Sequence, residues 1–430
     1  MTEWAASVVV VGAGPAGIAA AIRAEGAGRS VILIDQAQRP GGQIWRHRDR
    51  AALPRQARSW LQRLDRSSVR LLTGASVVDA EPSSRLRVDL GGRPLGVRWN
   101  DALVLATGSH ERFVPFPGWT LPGVVGVGGA QALLKSGMDV AGMEVVLAGS
   151  GPLLLPVAAT LSRAGANLTL VAEQAPLGRV IRFGAALWRS PSRWLDAARY
   201  RAGFLRTPYR TGTWVLRAEG EDRVREVTLT DGDGERTLPC DLLCTGFGLT
   251  PASELARLLG CATDGWRVKV DGVQATSEDG VYCAGEACGI AGAEIAILEG
   301  EIAGLAAAGD RAGAERLGRR RPPHDRFVAG LAQAFRLREE LSALPAGTTL
   351  VCRCEDVPLE RLRDFGSTRE AKLHTRAGMG PCQGRICQPA LQHFFGWGID
   401  SVRPPLFPTS LSVLAAPEED ESPPPPTSIT

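Results

Sequence analysis

The sequence predicts an α/β chain built on two dinucleotide-binding units, followed by a separate cysteine-bearing domain. Three observations predict it. A strand, glycine turn, helix, strand and acid run in succession from Val8 to Asp35. A similar succession returns from Glu144 to Glu173. Four of the nine cysteines then stand in two close pairs near the C-terminal end.

The first unit opens on residues 8–11, four β-branched residues in a row, the pattern of a strand buried on both faces of a parallel sheet. Gly12, Gly14 and Gly17 follow as G-x-G-x-x-G, with Pro15 and Ala16 inside the motif. The pattern predicts a helix over 18–27 and a second strand over 31–34, ending in Asp35 and Gln36. Glycines permit the tight turn and close phosphate approach, a helix N-terminus attracts pyrophosphate, and the acid holds ribose hydroxyls. A lone glycine triplet is weak evidence; in register with strand, helix and acid it predicts a nucleotide site rather than a structural turn.

Three further segments point to FAD as that nucleotide. Residues 40–44, with Gly42 and Gln43, lie just past the second strand, where flavin proteins wrap the chain around FAD. Residues 103–108 read as a strand ending in an Ala106-Thr107-Gly108 turn. Residues 281–286 read as a strand running into Gly285 and Glu286, ahead of a small-residue helix over 291–308 that includes Ala293. In flavoproteins of this shape that acid meets the ribityl and pyrophosphate region, and the helix start faces the pyrimidine end of the flavin. Val77, in the intervening strand-rich stretch, completes the expected set.

Between these segments, residues 46–66 predict a charged surface helix. Short strands at 69–73, 76–79, 86–90 and 95–99 predict a small β-meander. A glycine-rich crossing at 121–129 leads through a helical stretch, 130–136, into the second unit. That unit has Gly149 and Gly151, but Leu154 occupies the third glycine position. A bulky residue there pushes helix from strand and narrows the phosphate site. The second Rossmann fold is therefore expected, while a nicotinamide nucleotide, a structural nucleotide and an empty site all stay open.

Residues 183–206 are rich in tryptophan and arginine at helical spacing. They read either as a solvated helical insertion or as a docking surface anchored by Trp188 and Trp194. Residues 240–248 form another strand and Thr-Gly turn. Residues 309–323 read as a linker, and 416–430, acidic and proline-rich, as a disordered tail. The expected division is 1–118 and 246–310 for the FAD-binding domain, 119–245 for the second Rossmann unit and 325–415 for the cysteine domain.

Cys352 and Cys354 are separated by one residue, and Cys382 and Cys387 by four. Thiolates spaced like this near turns can converge on a metal centre. The neighbouring glycines, Gly378, Gly380 and Gly384, free backbone N–H groups to bond sulfur. Structural zinc prefers two to four residues between paired cysteines, whereas four thiolates suit a [2Fe–2S] cluster. Zinc and four free thiols are the alternatives. The other cysteines, Cys240, Cys244, Cys261, Cys283 and Cys288, read as buried apolar residues, with a redox disulfide between Cys283 and Cys288 as a minor option.

Composition bounds these readings. With 430 residues and 44% hydrophobic content the chain can bury several cores. A net charge of +3 is far from a nucleic-acid-binding balance. No apolar run approaches the roughly 20 residues of a membrane span, and the nucleotide fold begins too early to leave room for a signal peptide. Scattered cysteines suit a reducing compartment. A cytoplasmic location is expected, at most associated with the inner membrane through electron acceptors.

Taken together, these stretches resemble the FAD-containing subunits of heteromeric amino-acid dehydrogenases and oxidases. That group includes the A-type subunits of octopine and nopaline oxidases, hydrogen cyanide synthase, and dye-linked proline and hydroxyproline dehydrogenase α; sarcosine oxidase α is more distant. The matching stretches are 40–45, 118–123, 149–155, 244–249, 284–286 with 289–293, 352–355 and 378–385. The resemblance implies a two-dinucleotide-domain flavoprotein of the glutathione/thioredoxin-reductase shape with a C-terminal BFD-like [2Fe–2S] domain. It implies a partner β flavoprotein, related to D-amino-acid oxidase, that oxidises the C–N bond of an amino or imino acid. FAD and cluster on this chain then carry electrons. An FMN at a subunit interface and a small ferredoxin-like subunit belong to the same picture. Glu286 stands where the wider class commonly has Asp. His110 is the one candidate proton-transfer group beside the flavin motifs, although a lone histidine there is more often structural, and catalytic residues are not assigned. The rival readings are an NAD(P)H-dependent flavin reductase of the thioredoxin-reductase type and a non-catalytic assembly subunit.

Overall fold

The computed structural model describes residues 2–81, 84–186, 191–320, 324–399 and 402–416. The first sheet is built from β1 (Thr2–Val11), β2 (Val31–Asp35), β3 (Arg70–Thr73), β4 (Ala75–Glu81), β5 (Arg85–Leu90) and β6 (Arg93–Leu105), in the order β3-β2-β1-β6-β5-β4. Strands β3, β2, β1 and β6 run parallel, while β4, β5 and β6 form an antiparallel meander. Val8, Val9 and Val10 are fully buried because the sheet is covered on both sides. Helices α1 (Pro15–Gly26) and α2 (Arg55–Arg66) pack on one face; the opposite face holds Val9, Leu103 and the meander residues Leu86 and Val88.

Two expectations are corrected here. Residues 70–73 do not join the meander, because β3 extends the parallel sheet beside β2. The strands expected at 95–99 and 103–105 are one, β6, which belongs to the meander at one end and to the parallel core at the other. Long-range pairing decides both, and local periodicity carries no record of it.

After β7 (Ser109–Glu111) the chain enters a second sheet through β8 (Val124–Gly126) and α3 (Val127–Lys135). There β9 (Glu144–Gly149), α4 (Leu154–Arg163) and β10 (Asn167–Glu173) repeat the Rossmann theme. Helices α5 (Leu177–Ala186) and α6 (Pro191–Ala202) follow, then β11 (Tyr209–Thr211), a three-stranded antiparallel sheet of β12 (Trp214–Glu219), β13 (Glu226–Thr230) and β14 (Glu235–Pro239), and β15 (Leu242–Gly246). The second sheet is parallel throughout, in the order β11-β10-β9-β15-β8. Trp194 in α6 is half-exposed and donates through Nε1 to the Gly184 carbonyl at 2.9 Å, whereas Trp188 lies outside the described residues.

The return strand, β16 (Leu249–Pro251), pairs antiparallel with β7, setting Thr250 opposite His110. Next come α7 (Glu254–Leu258), the short hairpin β17 (Thr263–Asp264) and β18 (Arg267–Val268), then β19 (Val281–Cys283), which joins the first sheet beside β6. Helix α8 (Ala293–Ala307) lies on α1 with backbones nearly touching: a Cβ on Gly300 would fall 2.1 Å from the Ala16 carbonyl oxygen. The stretch read as a linker contains a helix, α9 (Arg311–Gly318). Asp310 caps it by accepting from Gly313 N–H at 2.8 Å, and Ala314 is fully buried. The charge of Arg319 and Arg320 masked this short amphipathic turn.

The last part holds α10 (His324–Ala334), β20 (Leu350–Cys352), β21 (Val357–Pro358), α11 (Thr368–Thr375), α12 (Cys387–Phe395) and α13 (Leu411–Leu414). Val351, Val357, Leu362, Ala371, Ala390 and Leu391 give it a small core of its own. Beyond α12 the chain returns to the first sheet, where Leu406 N–H donates to the Val78 carbonyl at 2.8 Å. Among the described residues, no helix is long and apolar enough to cross a membrane.

Candidate cofactor sites

Four segments far apart in sequence meet at the end of β1. Gly12 (φ +104°) is pressed against the turn after β6, and a Cβ there would lie 2.2 Å from the Ala106 carbonyl oxygen. Gly41 N–H donates to the Ala13 carbonyl at 2.7 Å, bringing Gly42 against Gly14. Gly285 (φ +77°) faces Ala16, where an added Cβ would stand 2.9 Å from that methyl. The glycines of the motif differ in purpose. A Cβ on Gly17 would collide with the Gly12 carbonyl oxygen at 1.7 Å, whereas one on Gly14 would meet only Gly42 Cα, at 4.0 Å. Gly17 serves packing, and Gly14 leaves open space at the N-terminus of α1, where Pro15 occupies the first turn.

Around that space stand the other expected residues. Asp35 accepts from Ala13 N–H at 2.5 Å and Ala37 N–H at 2.7 Å; burial pushes its carboxyl up against the pull of those two donors. Gln36 and Gln43 are exposed beside the cleft. Thr107 Oγ1 donates to the Ala252 carbonyl at 2.6 Å, fixing the turn that ends in Gly108. Glu286 Oε2 accepts from Ser109 Oγ at 2.5 Å, and burial raises its carboxyl. Ala293 is the first residue of α8. Val77 is buried in the core, so only its backbone is available to a ligand.

Ser109 was missed by sequence reasoning, although its place directly after the Thr-Gly turn marks it. Its neighbour His110 sets Nε2 3.6 Å from Glu254 Oε1, and Arg385 places Nε 3.2 Å from the same carboxylate oxygen. Burial opposes the charge on Glu254, but His110 and Arg385 outweigh it and hold the carboxyl below its ordinary value. Arg385 lies in the cysteine loop and also donates to the Cys382 carbonyl at 3.3 Å.

The four clustered cysteines come together as two contacting pairs, Cys352 with Cys387 and Cys354 with Cys382. A hydrogen bond from Cys387 pulls Cys352 down to about 6 against burial, and Gly378 N–H, 3.5 Å from its sulfur, helps. Giving that hydrogen bond, together with burial, raises Cys387, and burial raises Cys354. A Cβ on Gly380 would overlap Cys354 Cβ at 2.3 Å, so that glycine lets the two loops close. Among the described residues no three His, Cys, Asp or Glu side chains gather on a single metal ion. The remaining five cysteines are buried, and burial pushes Cys240 and Cys261 up to about 11.

In the second Rossmann unit Leu154 is fully buried in the core, and Gly151 N–H is taken by Glu173 Oε2 at 2.8 Å. Burial outweighs that bond and the one from Ala175, pushing Glu173 up to about 7.

Comparison with known proteins agrees with this architecture. Residues 6–300 match the pyridine nucleotide-disulphide oxidoreductase family. The chain is 35% identical to hydrogen cyanide synthase subunit HcnB of Pseudomonas aeruginosa, over 88% of this chain and 90% of that protein. It is 31% identical to the A-type subunit of opine oxidase from Rhizobium meliloti, over 95% and 87% respectively. Among solved structures, L-proline dehydrogenase from P. horikoshii superposes with a TM-score of 0.66 at 19% identity, covering 96% of this chain and 80% of that one. Thioredoxin reductase from T. acidophilum gives 0.57 at 21%, covering 72% of this chain and 99% of the reductase. These two likenesses concern the fold. The chain belongs to the pyridine nucleotide-disulphide oxidoreductase family and is a flavin oxidoreductase related to HcnB and to the A-type subunit of opine oxidase.

Proposed function

We propose that this chain is the electron-carrying member of a heteromeric dehydrogenase or oxidase acting on the C–N bond of an amino or imino acid, with FAD and a [2Fe–2S] cluster as its carriers. The observation that carries the reading is the arrangement along β7. Ser109 reaches Glu286 in the glycine-lined cleft, and the next residue, His110, leads through Glu254 to Arg385 in the cysteine loop. A short length of chain thus links the two candidate sites.

The residues present fit both groups. Gly14 leaves the approach to the α1 N-terminus open for a pyrophosphate, Asp35 is placed for ribose hydroxyls, and Glu286, oriented by Ser109, for the ribityl side. Two thiol pairs match a cluster whose two irons each take two protein ligands, with Gly378 N–H aimed at one sulfur. When bound, FAD exchanges electrons with a two-electron donor and the cluster passes them on singly. His110 sets its Nε2 3.6 Å from Glu254 Oε1, placing an imidazole and a carboxylate side by side next to the cleft.

The opine oxidase and hydrogen cyanide synthase relatives are named as subunits, which supports a partner and an amino- or imino-acid donor of the hydroxyproline, proline, opine or glycine kind. The partner in this reading is a D-amino-acid-oxidase-like flavoprotein in the cytoplasm. An interfacial FMN and a small ferredoxin-like subunit are further components. The test uses the native complex under anaerobic conditions. Adding the right amino acid should produce the paramagnetic signal of a reduced cluster, and Cys352→Ser should abolish it while the partner's flavin still bleaches. A complex containing zinc and no iron or sulfide would refute the assignment.

A further inference from the structure

The second Rossmann unit has the strand, glycines, helix and acid of a dinucleotide site, yet its mouth is filled by the chain's own residues 335–338, just beyond α10. Ser150 Oγ, between the two glycines, donates to the Phe335 carbonyl at 3.1 Å. Gln174, directly after the acid that ends β10, donates through Nε2 to Ser150 Oγ at 2.8 Å and to the Arg336 carbonyl at 3.1 Å. Its Oε1 accepts from Arg338 N–H at 3.0 Å. The Phe335 ring is the nearest group to a Cβ built on Gly151, at 3.9 Å, and it packs edge-on against Phe183 with centroids 5.2 Å apart. The Arg338 guanidinium lies 3.9 Å over the Trp214 ring, and Leu341 just beyond is fully buried.

The first unit provides an internal comparison. Gln36 follows Asp35 as Gln174 follows Glu173, but Gln36 is exposed and Gln174 is fully buried. A dinucleotide needs this ground: its pyrophosphate approaches the second glycine, and its ribose approaches the end of the second strand. In the second unit both places hold protein, and the polar atoms that would meet a ligand are bonded to backbone.

We propose that residues 335–338 are the resident occupant of the second dinucleotide site, so that Phe335, Gln174 and Ser150 determine donor specificity by excluding nicotinamide nucleotides from this flavoprotein. The site's hydrogen bonds are made within the chain, and entry of NADH requires residues 335–338 to lift away from Ser150 and Gln174. This goes beyond the function proposed above and stands whether or not the cysteines hold a cluster.

The test is titration of the flavin-loaded protein with NADH and NADPH, read by calorimetry and by anaerobic flavin absorbance. The wild type should show no saturable binding up to about 1 mM and no bleaching. The double variant Phe335→Gly/Gln174→Ala should bind ADP-ribose at least about tenfold more tightly than the wild type. Should that variant not fold, hydrogen exchange of the wild type decides: about 1 mM NADH should leave protection of residues 335–341 unchanged. Micromolar NADH binding by the wild type, loss of that protection with NADH, or a folded double variant with no gain in affinity would each overturn the proposal.

Discussion

Arg385, carried by the cysteine loop, stands 3.2 Å from the carboxylate of Glu254 at the start of α7, and both side chains are largely buried. This ion pair joins the cysteine loop to α7, whose Glu254 also faces His110, the neighbour of Ser109 on β7. Glu254→Gln keeps the shape but leaves Arg385 without its counter-charge. A fully buried pair broken on one side costs about 3–5 kcal/mol, and the partial exposure here lowers that to about 1–3 kcal/mol. Thermal melts at neutral pH should show the loss. An unchanged melting temperature would mean that the pair holds nothing together.

The two motif glycines should fail differently. Gly17→Val drives a side chain into the Gly12 carbonyl and should prevent folding. Gly14→Val has open space, so the protein should fold but lose its flavin, because the side chain occupies the pyrophosphate approach. Circular dichroism and flavin content of the two variants separate these outcomes. Full FAD occupancy in Gly14→Val would remove this turn from the cofactor site.

The contrast between these glycines explains what was legible in the sequence. The turn, its helix and Asp35 lie within a few dozen residues and obey local rules of periodicity and spacing, so the nucleotide cleft was readable. The cysteine spacing was readable for the same reason. What escaped depends on distant partners: β3 takes its place from β2, β6 spans two kinds of sheet, and Gln174 becomes structural only because residues 335–338 fold over it. Leu154 marks the second glycine turn as unusual, but no motif marks residues 335–338, whose backbone bonds Ser150 and Gln174.

His393 provides a pH signature. Burial, reinforced by the charge of Arg112, lowers its imidazole from 6.5 to about 4, and Ser342 Oγ sits 3.1 Å from its Nε2. Because the folded value lies below the unfolded one, the stabilising contribution is present above about pH 6.5 and is lost as pH falls toward 4. His393→Gln should flatten that part of the stability profile in urea titrations at a series of pH values. Parallel profiles for variant and wild type would contradict the assignment.

Each of Cys352, Cys354, Cys382 and Cys387, changed singly to serine, should weaken or remove the signal of the dithionite-reduced protein, because in the proposed function each supplies one of four cluster ligands. Cys240→Ser and Cys261→Ser should leave it intact, since those thiols are buried elsewhere. A signal untouched by Cys382→Ser would break the proposed ligand set.

In the function proposed here, this chain carries electrons while a partner oxidises the substrate. Anaerobic stopped-flow mixing of the isolated, flavin-loaded chain with proline, hydroxyproline, glycine, sarcosine and opines tests that division most directly. The expected result is no flavin reduction by the chain alone and reduction once the partner is restored. Bleaching of the isolated chain's flavin at turnover-relevant rates would place the substrate site here and contradict the division of labour.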